Sequence, residues 1–180
     1  MKKSISIILA GLLLLVMCAC STQPTLVSPG TTAPAGGANN TAPAENSSIV
    51  FKPGDTAAMN NITVNFVGVQ TSTGSEYNTP ADGKVFVLCE FEITNNGTAD
   101  LAVSSIMNFQ AYCDDYACEY SLGALMAKGD SAQLDGTVAP GKKMKGIIGY
   151  ELPIEWQELE IIYTPDILSD SKFQFVAANS

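Results

Sequence analysis

The sequence predicts an all-β chain folded as an antiparallel β-sandwich. Three observations carry that prediction. The stretch from Gly83 to Gly97 alternates, with Val85, Val87, Cys89, Phe91 and Ile93 on one side of an extended strand. Glu90, Glu92 and Thr94 follow Phe86 and Leu88 on the other side. A strand of that length with one apolar face needs a second sheet to cover it. The remaining apolar segments are short, separated by Gly, Pro and Asn, and show no convincing helical period.

In chain order, Lys2 and Lys3 precede an apolar run from Ile5 to Val16. A charged start and a short apolar run are the pattern of an export signal, too brief for a comfortable membrane span. The run ends in Met17-Cys18-Ala19-Cys20-Ser21, which resembles a bacterial lipoprotein signal. Cys20 is the expected lipidated residue because the small Ala19 precedes it. Cys18 follows the bulky Met17 and fits less well. Two acyl chains on a thioether give a stable membrane anchor. An ordinary cleaved signal with an incidental Cys is the alternative. Residues 1–19 are thus expected to be the signal peptide. Residues 20–48, rich in Ser, Thr, Pro, Ala, Gly and Asn, are expected to be a lipid-anchored disordered linker. A flexible chain of that length spans roughly 30 Å, enough to hold a domain clear of the membrane.

Residues 49–180 form one domain by size. Ile62 to Val69 alternates, with Gly68 marking a bulge. Ser72 to Gly83 is a polar loop. After the long strand, Asn95-Asn96-Gly97 is expected to supply turn residues with φ > 0. Phe109–Cys113 and Cys118–Leu122 are expected as two hairpin arms around a four-residue loop. Ala139-Pro140-Gly141-Lys142 is a turn. Met144 to Leu152 and Leu159 to Tyr163 are strands closed by Pro153 and Pro165, and Phe173 to Val176 adds a last edge strand.

The chain has no His and a net charge of −9. All its basic side chains are Lys, and loss of Lys2 and Lys3 with the signal leaves seven against eighteen Asp and Glu, a net −11. There is no imidazole base and no guanidinium fork for phosphate. A domain this acidic is repelled by nucleic acid and by anionic lipid, so no nucleic-acid partner is expected.

The ordered marks of the domain resemble a family of secreted bacterial Ig-like domains of unknown function common on lipoproteins. That family is similar in fold to the mycobacterial immunoprotective extracellular antigen. The marks are the Gly83–Gly97 strand ending in Asn-Asn-Gly, then Phe109, Pro140-Gly141, Gly146, Leu152-Pro153 and the strand ending at Tyr163. The resemblance implies an Ig-like β-sandwich with no established activity. Where many members have an Asp-x-x-Gly hairpin, this chain has Cys113-Asp-Asp-Tyr-Ala-Cys118.

That hairpin holds the main candidates. A four-residue loop sets Cys113 and Cys118 face to face, close enough for a disulfide in an oxidising compartment; two reduced thiols are the alternative. A bridge makes Asp114, Asp115 and Tyr116 a small rigid tip, which are candidate contact residues. The same carboxylates with Glu119 fit oxygen ligation of Ca²⁺, but adjacent Asp residues are common in turns without metal, and no metal or cofactor is expected. Trp156 is a candidate contact if exposed, and otherwise caps the core. Cys89 alternates with core residues and reads as an inert buried thiol. Glu90 and Glu92 sit about 6.5–7 Å apart on one strand face, a spacing that suits paired carboxylates and equally any solvent-facing strand. Lys142, Lys143 and Lys145 suit an anionic polymer or a solvated edge.

The function these features favour is a non-catalytic binding module. It would be tethered through Cys20 to the outer face of the cell membrane and hold a protein or glycan of the envelope. A carboxylate- or metal-dependent envelope enzyme and a purely structural envelope protein are the alternatives.

Overall fold

The computed structural model describes residues 23–28, 49–129 and 133–179. The expected signal peptide (residues 1–19) and Cys20 lie outside the described residues. Twelve strands and one short helix follow in order: β1 (Thr25–Ser28), β2 (Val50–Phe51), β3 (Thr56–Met59), β4 (Ile62–Ser72), β5 (Lys84–Asn95), β6 (Leu101–Val103), β7 (Phe109–Cys113) and β8 (Tyr116–Cys118). Then come α1 (Leu122–Ala127), β9 (Gly136–Val138), β10 (Lys143–Pro153), β11 (Glu158–Tyr163) and β12 (Phe173–Ala178). They form an Ig-like antiparallel sandwich of two five-stranded sheets, β1-β3-β4-β5-β10 and β2-β12-β11-β7-β8, with β6 and β9 as a small separate ribbon.

The long strand behaves as its pattern dictates. Val87, Cys89, Phe91 and Ile93 are buried in the space between the sheets. Phe91 stacks on Phe66 of β4 at 4.6 Å and meets Phe175 of β12 edge-on at 5.3 Å. Phe109 stacks on Tyr163 at 4.6 Å on the facing sheet. Each such ring removes about 1.5–3 kcal/mol worth of apolar surface from water. The register of β4 against β5 shifts between Phe66 and Gly68, the expected bulge.

Five expectations change. Thr25–Ser28, inside the segment expected to be a disordered linker, pair antiparallel with β3 as a sheet edge. Backbone hydrogen bonds to an open edge outweigh a composition with little to bury. A helix is present: α1 begins at Ser121, whose hydroxyl accepts from Ala124 N at 3.2 Å. It claims Leu122, expected in a hairpin arm, and packs Ala124 and Leu125 over Phe86, Leu88 and Ile147. That covers the apolar start of the otherwise polar face of β5. Six residues are too few to show a period. The close approach depends on Gly149, where a Cβ would meet Ala124 Cβ at 2.7 Å.

The Asn95-Asn96-Gly97 stretch has no residue with φ > 0. Asn95 is buried and acts through its side chain instead. Its Nδ2 donates to Ala99 O and Val138 O, both at 2.8 Å, and its Oδ1 accepts from Gly97 N. It ties the end of β5 to the β6–β9 ribbon. The αL pairs lie elsewhere, at Asn60-Asn61 and Asp114-Asp115. The β12 strand is not an edge, because β2 pairs parallel to it.

Candidate functional site

Asp114 and Asp115 have φ of 49° and 69°, the left-handed pair of a two-residue hairpin turn, which Asp tolerates better than most side chains. The β7–β8 loop therefore has two residues, not four. Cys113 stands opposite Tyr116, and Cys118 opposite Ala111. The two cysteines share one face as diagonal neighbours rather than as a direct pair, and both are free thiols in the structure. They lie close enough to perturb each other. Burial first, then the neighbouring Cys118 and Asp114, push the Cys113 thiol up to about 12. Burial also raises Cys118. Both stay protonated at neutral pH, the opposite of an activated nucleophile.

The Asp114 carboxylate is already engaged. It accepts from Gln157 N at 3.0 Å and Glu158 N at 2.8 Å, while Asp114 N donates to Glu158 O at 3.0 Å. The hairpin tip is thereby fastened to the corner between β10 and β11. Asp114 holds the tip rather than offering a free ligand.

Beyond β8 the chain changes sheets. Tyr120 bridges Tyr150 of β10, and Ser121 N donates to Gly149 O at 2.7 Å. Between the hairpin, this crossing and the end of β10 lies a groove of about 790 Å³. Tyr116, Tyr120, Leu122, Leu152 and Pro153 give it apolar walls, and Asp114, Glu119, Glu151 and Lys84 give it an acidic balance. Lys84 and Glu151 pair at 3.9 Å across one wall. Tyr116 is 79% exposed and Leu122 58%, although each sits on an apolar wall. Because Cys113 and Tyr116 flank a two-residue turn, ladder alternation points the Ala117 amide and carbonyl away from β7, toward the groove. The Tyr120 hydroxyl is enclosed with no hydrogen-bond partner.

The domain's place among known proteins follows from its length of match. A family model described as a domain of unknown function covers residues 51–173. The chain belongs to the DUF4352 family. Two solved structures resemble this DUF4352 domain. One is a candidate lipoprotein (ycdA) of Bacillus subtilis, 19% identical with a TM-score of 0.55 over 65% of this chain and 36% of that one. The other is the yjhA protein of Bacillus subtilis, 17% identical with a TM-score of 0.58 over 70% of this chain and 98% of that one. At these identities the likeness is one of fold. This chain spans about a third of the first protein. No curated protein sequence matches it.

The other candidates are placed as follows. Trp156 of this DUF4352 domain is 2% exposed and part of the main core, so it caps the sandwich and is no surface contact. Cys89 is fully buried, and burial raises its thiol well above the ordinary value. Asp115 and Tyr116 remain exposed at the hairpin tip. Glu90 pairs with Lys145 at 3.1 Å and Glu92 with Lys143 at 2.8 Å. The two suspected carboxylates and Lys143 and Lys145 of the basic cluster thus neutralise each other across β5 and β10, with Lys142 in neither pair. Glu119 lines the groove. Among the described residues, no three Cys, Asp or Glu side chains gather as a metal site. Sequence reasoning missed the groove because it needs α1 and the Tyr120 crossing. Ser121 as an N-cap before Leu-Gly-Ala-Leu was the available signal.

Proposed function

We propose that this protein is a cell-envelope lipoprotein, anchored through Cys20 at the outer face of the membrane, whose sandwich is a non-catalytic binding module. Its partner is an extended segment of an envelope protein that seats in the groove beside β8. The observation that carries this is the open β8 edge facing that groove, with the exposed Tyr116 and Leu122 beside it. An unpaired strand edge offers main-chain hydrogen bonds, and flanking apolar pockets select side chains. The acidic balance of the lining favours a basic segment. The enzyme alternative loses its best carboxylates, since Glu90 and Glu92 are held by lysines. The resemblance to the mycobacterial antigen rests on the sequence marks alone.

The test uses the full lipidated chain immobilised on vesicles and incubated with solubilised envelope extract. Wild type is compared with Tyr116→Ala/Leu122→Ala. Both residues are largely exposed, so the variant keeps its unfolding midpoint. A polypeptide retained by wild type and lost by the variant supports the reading. Equal retention by both refutes the groove, and retention of glycan alone refutes the choice of partner.

A further inference from the structure

The groove lies toward the end of the sandwich where β5 starts and β10 finishes. The opposite end has a different character. It holds the Asn60–Asn61 turn, the loop from Ser104 to Asn108 and the loop from Thr164 to Ser171. In the first of these loops, Ser104 N donates to Asn108 Oδ1 and Asn108 N to Ser104 O. Met107 is left outside, 67% exposed, while Ile106 lines a separate cleft against Ala117, Tyr120 and Tyr150. In the second, Leu168 N donates to Asp166 Oδ1 and Ser169 N to Asp166 O. Ile167 and Leu168 project at its tip, 58% and 92% exposed. Met107 and Ile167 line one shared cleft of about 440 Å³. Asp166 and Pro165 of that cleft also line the next one, against Met59 and Asn60. The second loop therefore lies between the first loop and the β3–β4 turn.

Single exposed apolar residues are ordinary on a soluble surface. Three of them on two neighbouring loop tips acquire meaning from where the chain enters. In the β1–β3 register Thr25 stands opposite Ala58, beside the Asn60–Asn61 turn. The direction of β1 carries the chain out at this same end. Thr25 lies only five positions after Cys20, a reach of at most about 18 Å. With β1 in place, this end cannot stand far from whatever holds Cys20.

We propose that this end of the sandwich is a membrane-docking face, with Met107, Ile167 and Leu168 entering the headgroup layer of the bilayer. The partner is a lipid surface, and the placement rests on the Cys20 anchor proposed above. A tethered face needs only weak affinity, because the anchor keeps it at high local concentration. Charge opposes rather than drives the contact: Lys142 and Lys172 at this end are outnumbered by Asp100, Asp166, Asp170 and Asp135, which holds Ser105. Apolar insertion supplies the contact, as in interfacial anchors. The arrangement turns the β8 groove away from the membrane, toward the rest of the envelope.

The experiment places single tryptophans in the full lipidated chain on vesicles containing brominated phosphatidylcholine. Native Trp156 is buried and gives the background. Leu168→Trp reports on the proposed face, and Tyr77→Trp, at a site 91% exposed near the start of β5, reports on the far end. At least twofold stronger quenching of Leu168→Trp, with a blue shift, is expected. Equal quenching at the two sites overturns the proposal. Palmitate labelling of the same preparations checks the anchor separately. Labelled chain with equal quenching overturns the docking face and leaves the anchor standing. If the chain is unlabelled, the anchor reading fails. The two tryptophans are then compared on added vesicles, where preferential quenching of Leu168→Trp supports the face and equal quenching overturns it.

Discussion

Removing the Asp114 carboxylate should loosen the whole hairpin. The Asp114→Ala substitution deletes the acceptor for Gln157 N and Glu158 N. A hydrogen bond to a charged group contributes about 1.5–3 kcal/mol, but this carboxylate is exposed and solvent screening lowers that to about 1 kcal/mol each. The backbone at this position is left-handed, with φ of 49°, and a non-glycine residue without a local acceptor adds about 1 kcal/mol of strain. The expected loss is therefore about 2–3 kcal/mol. Asp114→Asn keeps an acceptor oxygen and tolerates the turn, so it should lose about 1 kcal/mol. Urea unfolding separates these outcomes, since a typical slope of about 1–3 kcal/mol per molar converts the Ala loss into a midpoint shift of about 1–2 M. A wild-type midpoint for Asp114→Ala would refute the fastening role. Equal losses for Ala and Asn would show that charge, rather than acceptor geometry, holds the tip.

Phe91→Ala removes a fully buried ring that touches Phe66, Phe109 and Phe175; a loss of about 3–5 kcal/mol is expected in chemical denaturation, and an unchanged midpoint would mean that the faces of β5 are reversed. Gly149→Ala drives its Cβ into Ala124 Cβ at 2.7 Å and Ser121 O at 3.0 Å, which should cost about 1–3 kcal/mol; adding Ala124→Gly should recover part of it, and no recovery would place the clash elsewhere. Burial raises the Cys89 thiol and the Tyr150 and Tyr163 hydroxyls above their ordinary values. The unfolded chain ionises first, so these groups leave stability level below about pH 9; Cys89 lowers it above about pH 9 and the two tyrosines above about pH 10, each by about 1.4 kcal/mol per pH unit. A Cys89→Ala variant should show a shallower fall, and an identical one would remove Cys89 from the account. The diagonal thiols of Cys113 and Cys118 are expected to be bridged in exported protein by exchange with an external disulfide; alkylation of both without reduction, read by mass spectrometry, would show otherwise.

Much of the fold was legible because one signal dominates it. Period-two alternation marks β4, β5, β7 and β11, each long enough to repeat, whereas β10, buried without break from Gly146 to Tyr150, is marked by its bounding turn and Pro153. The elements that escaped were short or depended on distant partners. Thr25–Ser28 has all four residues exposed and carries no burial pattern, so only its hydrogen bonds to β3 reveal it. The helix announces itself by a cap alone. The hairpin shows how a local error spreads: placing four residues in the loop set the cysteines face to face, while αL tolerance at Asp114-Asp115 gives a two-residue turn and a diagonal pair. Trp156 was ambiguous in principle, because an aromatic between two strands looks the same in sequence whether it points in or out. The groove has no linear signature, since its walls come from residues 84, 113–122 and 151–153.

The edge strand β1 also gives the attachment a mechanical property. With Cys20 held in lipid and a partner gripping the groove at the far end, a pull between them runs along β1 rather than across it. The hydrogen bonds to β3 are then loaded in shear, all together, instead of opening one after another. If they give way, the tether runs from Cys20 to Val50 instead of ending at Thr25, twenty-five residues more, a gain of at most about 90 Å. The sheet itself stays closed, because β3 remains paired to β4 through Asn65, Val64, Thr63 and Ile62. Under the anchor and partner proposed above, these four residues would act as a fuse that yields before the domain does.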